Sequence, residues 1–181
     1  MANTNQLKYI IEPEMKRIFC DTYCAETLSL SNKQLQCIFN DMEPDLVAVS
    51  YEKGILHIGE ITRSGFMGQK GKDFHVGAVK KIFEAFSKFY LLRLDKEGVL
   101  QRLRKYYDIS IISDIQCHFI VPEGSRFIKA LGYRAKLFDT GVMSLDTIKL
   151  DKEYELLMIQ ILMNAKDEMG KQGGVSFIEY R

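Results

Sequence analysis

The alternation of apolar and polar positions divides this chain into helical and extended stretches. From about Leu7 to Thr27, Ile10, Ile11, Met15, Ile18 and Phe19 recur at three-to-four spacing and Tyr23 prolongs the row, which predicts a helix. Pro13 interrupts the row and suits a first helical turn, so the regular helix should begin beside it. Leu35-Gln36-Cys37-Ile38-Phe39 is a short apolar run that fits either a strand or part of a second helix. Residues 45–51 and 55–62 read as two buried strands joined by the tight turn Glu52-Lys53-Gly54. A glycine-rich loop, 64–71, comes next. Residues 73–96 then predict a long helix whose buried stripe is Val79, Ile82, Phe83, Phe86, Phe89 and Tyr90. Gly98 is a candidate end for it, although 99–107 is again helical in pattern. The run Cys117-His118-Phe119-Ile120-Val121 predicts a buried strand stopped by Pro122. A helix near 125–136, a short strand near 142–148 and an amphipathic helix over 152–169 (Leu156, Leu157, Ile159, Ile161 and Leu162) complete the chain. Strands alternating with helices imply an α/β fold, a mixed sheet with helices on both faces.

Composition bounds the reading. At 181 residues, with 46% hydrophobic and 27% charged positions, the chain is expected to form a single domain (1–181), with a core over about 7–121 and a C-terminal extension over about 122–181. No apolar run approaches the roughly 18 residues of a bilayer span, and the polar start Met1–Gln6 leads into no apolar signal core. A soluble, cytoplasmic protein is therefore expected. Cys20, Cys24, Cys37 and Cys117 form no zinc-ligand pattern and are expected to be reduced, mostly buried thiols. Net charge is +1, but it is uneven: residues 63–105 carry eleven Lys and Arg against four acids, a net +7 that leaves −6 for the rest. That asymmetry suits a polyanion-binding face, and solvated helix surfaces produce it as well.

The hairpin carries the candidate chemistry. Asp45 opens its first strand and Glu60 nearly closes its second, so a reversing turn should make the two carboxylates neighbours. Neighbouring carboxylates repel unless a positive charge lies between them, and a hard divalent cation with oxygen ligands meets that need. A turn-forming Asp after Pro44 and a solvent-facing Glu at a sheet end are the structural alternative. His57 alternates onto the face opposite Glu60 and is not expected to be a ligand. His75 reads as a surface or phosphate contact, and His118 as a core histidine. The glycine loop lacks a Gly-Lys-Ser/Thr ending and is no P-loop.

Pro44-Asp45 followed by Glu60-Ile61-Thr62, in the order helix, acidic strand, turn, acidic strand, long helix, strand, resembles the PD-(D/E)xK nuclease superfamily. The resemblance covers roughly residues 7–121. It implies a restriction-endonuclease-like mixed sheet with an α-β-β-α-β core, and Mg²⁺ or Mn²⁺ held by Asp45, Glu60 and the main-chain carbonyl of Ile61. It further implies an acid from the first helix, Glu12 or Glu14, with Glu14 preferred because it lies beyond Pro13, and metal-assisted hydrolysis of phosphodiester bonds, with DNA the first candidate and RNA left open. The family's lysine, two residues after the second acid, is here Thr62, whose hydroxyl can hold a water but carries no charge. Lys72 at the helix entrance, Lys80 two turns in, and Arg63 beside the motif are the candidates to replace it. Arg63 should point to the sheet face opposite Thr62. Arg63, Gln69, Lys70, Lys72 and Lys81 are the candidate nucleic-acid contacts. Three functions are consistent with these residues: a metal-dependent endonuclease, a pseudo-nuclease acting as a nucleic-acid-binding or protein-interaction subunit, and an α/β scaffold with decorative acids. Sequence selectivity at this length would call for a homodimer or a partner subunit.

Overall fold

The computed structural model describes residues 5–63, 76–123 and 131–172. The glycine loop with Gln69 and Lys70, Lys72 after it, the histidine His75, and the first half of the helix expected near 125–136 lie outside them. Among the described residues the chain is α/β, with a five-stranded mixed open sheet and six α-helices. A π-helical turn, Leu7–Ile11, runs into α1 (Glu12–Tyr23), with Pro13 in its first turn. The helix stops at Cys24, which adopts a left-handed φ of 51°. The next residues, Glu26–Thr27, are not helical as the periodicity suggested but form the short edge strand β1.

The ambiguous run 35–39 belongs to a helix, α2 (Asn32–Phe39). Its start is fixed by a capping box in which the Ser31 hydroxyl accepts from the Gln34 N–H and the Gln34 side chain accepts from the Ser31 N–H. Strands β2 (Leu46–Ser50) and β3 (Ile55–Ile61) form the expected hairpin. Its turn needs Gly54 twice: φ is +66°, and a Cβ there would lie 3.0 Å from the Ile111 carbonyl oxygen. The Gly54 carbonyl then accepts from the N–H groups of Ser113 and Asp114, which sets the start of β4 (Asp114–Pro122) alongside β3.

Between β3 and β4 the chain crosses over through α3 (Val76–Leu94) and α4 (Lys96–Leu103). The break between these helices falls at Asp95, before Gly98. After β4, a 3₁₀ turn (Gly132–Ala135) and the short α5 (Lys136–Asp139) lead to β5 (Ser144–Ile148), and α6 (Lys152–Gln172) closes the described chain. The sheet order is β1-β2-β3-β4-β5, antiparallel at β1-β2 and β2-β3 and parallel at β3-β4 and β4-β5.

Both faces of the sheet are covered, which explains why β2 and β3 read as almost continuous apolar runs. On one face Val47, Val49, Leu56, Ile58, Phe119 and Val121 pack against α2, α3 and α4. On the other, Leu46, Ala48, Ile61, Ile120 and Ile148 meet the π turn, α1 and α6. Gly59 lies on this second face, where a Cβ would stand 2.8 Å from Ile120 Cδ1 and 3.2 Å from Leu46 Cβ. The buried stripe of α3 is Ile82, Ala85, Phe89 and Leu92, with Phe86 partly buried. Phe83 and Tyr90, expected inside, are 41% and 50% exposed, so the helix is rotated relative to the sequence reading. Leu156 on α6 is likewise exposed, and Met158 and Ile161 are the buried positions there. The four thiols are free, but only Cys20 and Cys117 are buried; Cys24 and Cys37 are exposed. Among the described residues no helix is long and apolar enough to cross a membrane.

Candidate functional site

The β2-β3 register pairs Leu46 with Gly59, and one step further along the ladder Asp45 falls opposite Glu60. Strand alternation sends both acids to the face covered by α3. Asp45 is anchored there because its Oδ2 accepts from the Ile61 N–H at 2.8 Å. Two lysines of α3, seven residues and so about two turns apart, reach down to this sheet end. Lys81 Nζ donates to Asp45 Oδ2 at 2.9 Å and to the Ile61 carbonyl oxygen at 2.5 Å, and lies 3.8 Å from Glu60 Oε2. Lys88 Nζ donates to Glu60 Oε1 at 3.0 Å and also pairs with Glu84 at 3.3 Å. The positive charge that two adjacent carboxylates require is thus supplied by ammonium groups on α3.

Glu60 is 4% exposed. Burial, first, and the negative charge of Asp45, second, push its carboxyl above the usual range, and the two lysines act against that rise. For Lys88, burial is the largest single influence and lowers its pKa; the hydrogen bond and charge of Glu60, joined by Glu84, outweigh it and leave the ammonium strengthened. The two shifts favour opposite protonation states of the pair. The 3.0 Å contact and the second lysine nearby favour the ionised pair.

Of the lysines named from the sequence as replacements for the motif lysine, Lys80 is exposed and its neighbour Lys81 makes the contacts. Lys72 lies outside the described residues. Thr62 is buried, and its N–H donates to the Ile120 carbonyl oxygen at 2.9 Å. Arg63, one position on, turns to the α1 face and pairs with Glu12 at 3.2 Å, the side that alternation requires. Of the two acids in the first turn of α1, Glu12 is therefore the one linked to the motif strand, and it also pairs with Lys16 at 2.8 Å. Glu14 is committed elsewhere: Arg17 grips it with two hydrogen bonds of 2.7 and 2.9 Å, and these hold its carboxyl below the usual range. Among the described residues no three His, Cys, Asp or Glu side chains gather as a metal-ligand set. The donors at the hairpin end are two carboxylates and a main-chain carbonyl, all hard oxygens of the kind Mg²⁺ and Mn²⁺ take.

A second polar cluster lies on the opposite sheet face, under α1. His57 Nδ1 and His118 Nε2 share a hydrogen bond of 2.9 Å, and His118 Nδ1 lies 2.9 Å from both Asp146 Oδ2 and Ser144 Oγ. The Tyr23 hydroxyl donates to Asp146, and the Phe19 and Tyr23 rings pack on both imidazoles. Burial, followed by the charge of His118, pushes the His57 pKa down to about 4. Burial acts to raise the Asp146 carboxyl, but its bonds to His118, Tyr23 and Ser144 together leave it below the usual range. Sequence reasoning missed Tyr23, Ser144 and Asp146 as polar partners. The one local signal was the alternation Ser144-Leu145-Asp146 on a short strand, which places both polar groups on one face.

No protein-family model, no curated protein and no solved structure matches this chain.

Proposed function

We propose that this protein is a nuclease-like, metal-dependent hydrolase of phosphodiester bonds in DNA, built on the restriction-endonuclease-like α-β-β-α-β plan. The single observation that carries the reading is the convergence of Asp45 Oδ2, the Ile61 carbonyl oxygen and Glu60 Oε2 on one positive charge, the Lys81 ammonium. Those oxygens are the set that would hold Mg²⁺ or Mn²⁺. When bound, the ion supplies Lewis-acid polarisation of the phosphate and a more acidic water. The remaining work belongs to the chain. The Ile61 N–H fixes the Asp45 carboxylate, and Lys88 fixes that of Glu60. Lys81 provides the positive charge that Thr62 lacks, on a stem long enough to reach a phosphate oxygen beside the acids. The excess of lysine and arginine over 63–105 suits a nucleic-acid backbone.

Incubation with supercoiled plasmid and Mn²⁺ or Mg²⁺ tests this reading. Metal-dependent nicking that is lost in both Asp45→Ala and Lys81→Met is expected, and nicking that survives Asp45→Ala would refute it. One observation favours the pseudo-nuclease reading: two ammonium groups already balance the two carboxylates. DNA affinity that weakens with salt, without any metal-dependent cutting, would decide for that alternative.

A further inference from the structure

We infer that Lys81 is an internal competitor for the cation, and that its transfer from the acid pair to a substrate phosphate makes metal and phosphodiester bind cooperatively. The inference rests on the cation site proposed above and concerns how that site is loaded. The Lys81 ammonium engages Asp45 Oδ2 and the Ile61 carbonyl oxygen directly, at 2.9 and 2.5 Å, and stands 3.8 Å from Glu60 Oε2. A cation using the same lone pairs cannot share them with a like-charged ammonium at those distances. Metal binding therefore requires Lys81 to leave.

The fold permits that departure. Lys81 is held at its backbone by α3, which is anchored one residue on by the fully buried Ile82 and a turn further by Ala85. Its side chain is 28% exposed, and its four-carbon stem can swing without moving the helix. Displacement costs the Lys81 ammonium its two hydrogen bonds, and a phosphate oxygen beside the ion would restore them as a charge-assisted contact. Each ligand thus lowers the cost of binding the other, and by linkage the effect is reciprocal. The same residue serves two roles in sequence: it neutralises the acids in the free protein and the phosphate in the complex.

The test measures free Mn²⁺ by electron paramagnetic resonance in titrations of the full chain, so its readout is binding and not turnover. Wild type, Lys81→Met, Lys81→Gln and the exposed-neighbour control Lys80→Met are each titrated without DNA. The titrations are repeated with a short phosphorothioate duplex, after subtraction of the ion bound by duplex alone. Both Lys81 variants should bind Mn²⁺ roughly tenfold more tightly than wild type without DNA, within the usual range of coupling between sites. Without DNA, Lys80→Met should match wild type, since Lys80 is exposed and Lys81 makes the contacts to the acids. Duplex should raise the wild-type affinity by a similar factor and that of the Lys81 variants little. Equal or weaker Mn²⁺ binding by the Lys81 variants, or an equal gain in Lys80→Met, would overturn the inference while leaving the cation site standing. Failure of every protein to bind Mn²⁺ would overturn the site itself.

Discussion

Acid should destabilise this protein through His57. The ring is fully buried, with centroids 5.9 Å from Phe19, 4.9 Å from Tyr23 and 5.1 Å from His118. Burial is the main reason its pKa falls from 6.5 to about 4; the positive charges of His118 and Lys53 add to the fall, and Asp146 opposes it. Because the folded value lies below the unfolded one, the unfolded chain binds more protons between those limits. Stability is therefore undiminished above pH 6.5, drops as pH falls through the window, and levels off near pH 4. At about 1.4 kcal/mol per pH unit the fall amounts to about 3 kcal/mol, a large part of the roughly 5–15 kcal/mol that holds a domain folded. Urea unfolding of wild type and His57→Gln at pH 7, 6, 5 and 4 measures it. Glutamine keeps a polar partner for His118 Nε2 but does not titrate. Groups away from the cluster titrate in both proteins and cancel in the difference, among them Glu60, whose raised pKa acts in the opposite direction. The difference in stability between wild type and variant should shift by about 3 kcal/mol against wild type from pH 7 to pH 4. A difference that stays flat would show that the buried imidazole carries no such penalty.

Two further perturbations probe the packing and charge around the hairpin. Lys88→Met leaves the buried Glu60 carboxylate with only the 3.8 Å approach of Lys81, and should cost about 1–3 kcal/mol in urea unfolding, most of it recovered in Lys88→Met/Glu60→Gln. Gly59→Ala drives a methyl to within 2.8 Å of Ile120 Cδ1 and should also cost about 1–3 kcal/mol. Ile120→Val removes the opposing atom, so a double-mutant cycle should show the two changes costing less together than their sum.

The hairpin was legible because its signals are local. Gly54 marks the turn, the apolar runs mark the strands, and their lengths bring Asp45 opposite Glu60 with no knowledge of the rest of the fold. The choice of lysine was not legible in the same way. The sequence singles out Lys80 because it lies about two turns into the expected helix, beside Val79 of the expected stripe, and that stripe also counts Phe83 and Tyr90 as buried. The actual stripe of Ile82, Ala85, Phe89 and Leu92 brings Lys81 and Lys88 to the sheet end. Aromatic residues on a helix can rest half-exposed, and the small Ala85, which lets α3 approach the strands, carries little weight in a periodicity argument. The cluster of Tyr23, His57, His118, Ser144 and Asp146 joins four distant segments, from α1 to β5, so neighbouring residues hold no record of it. Between Glu12 and Glu14 the sequence favours Glu14, because it lies beyond Pro13 and inside the expected helix, yet the helix already includes Glu12 and it is Glu12 that meets Arg63. What separates them is Arg17, one turn on, and Arg63, which lies in another element.

The oxygens of Asp45, Glu60 and Ile61 are proposed to form a cation site from which Lys81 can be displaced. Crystals of the full chain soaked in Mn²⁺ and measured at the manganese edge test it directly. An anomalous peak is expected at oxygen-ligand distance from Asp45, Glu60 and the Ile61 carbonyl, with the Lys81 ammonium moved away from it. An anomalous map without such a peak, with Lys81 still donating to Asp45 and Ile61 at saturating Mn²⁺, would contradict it.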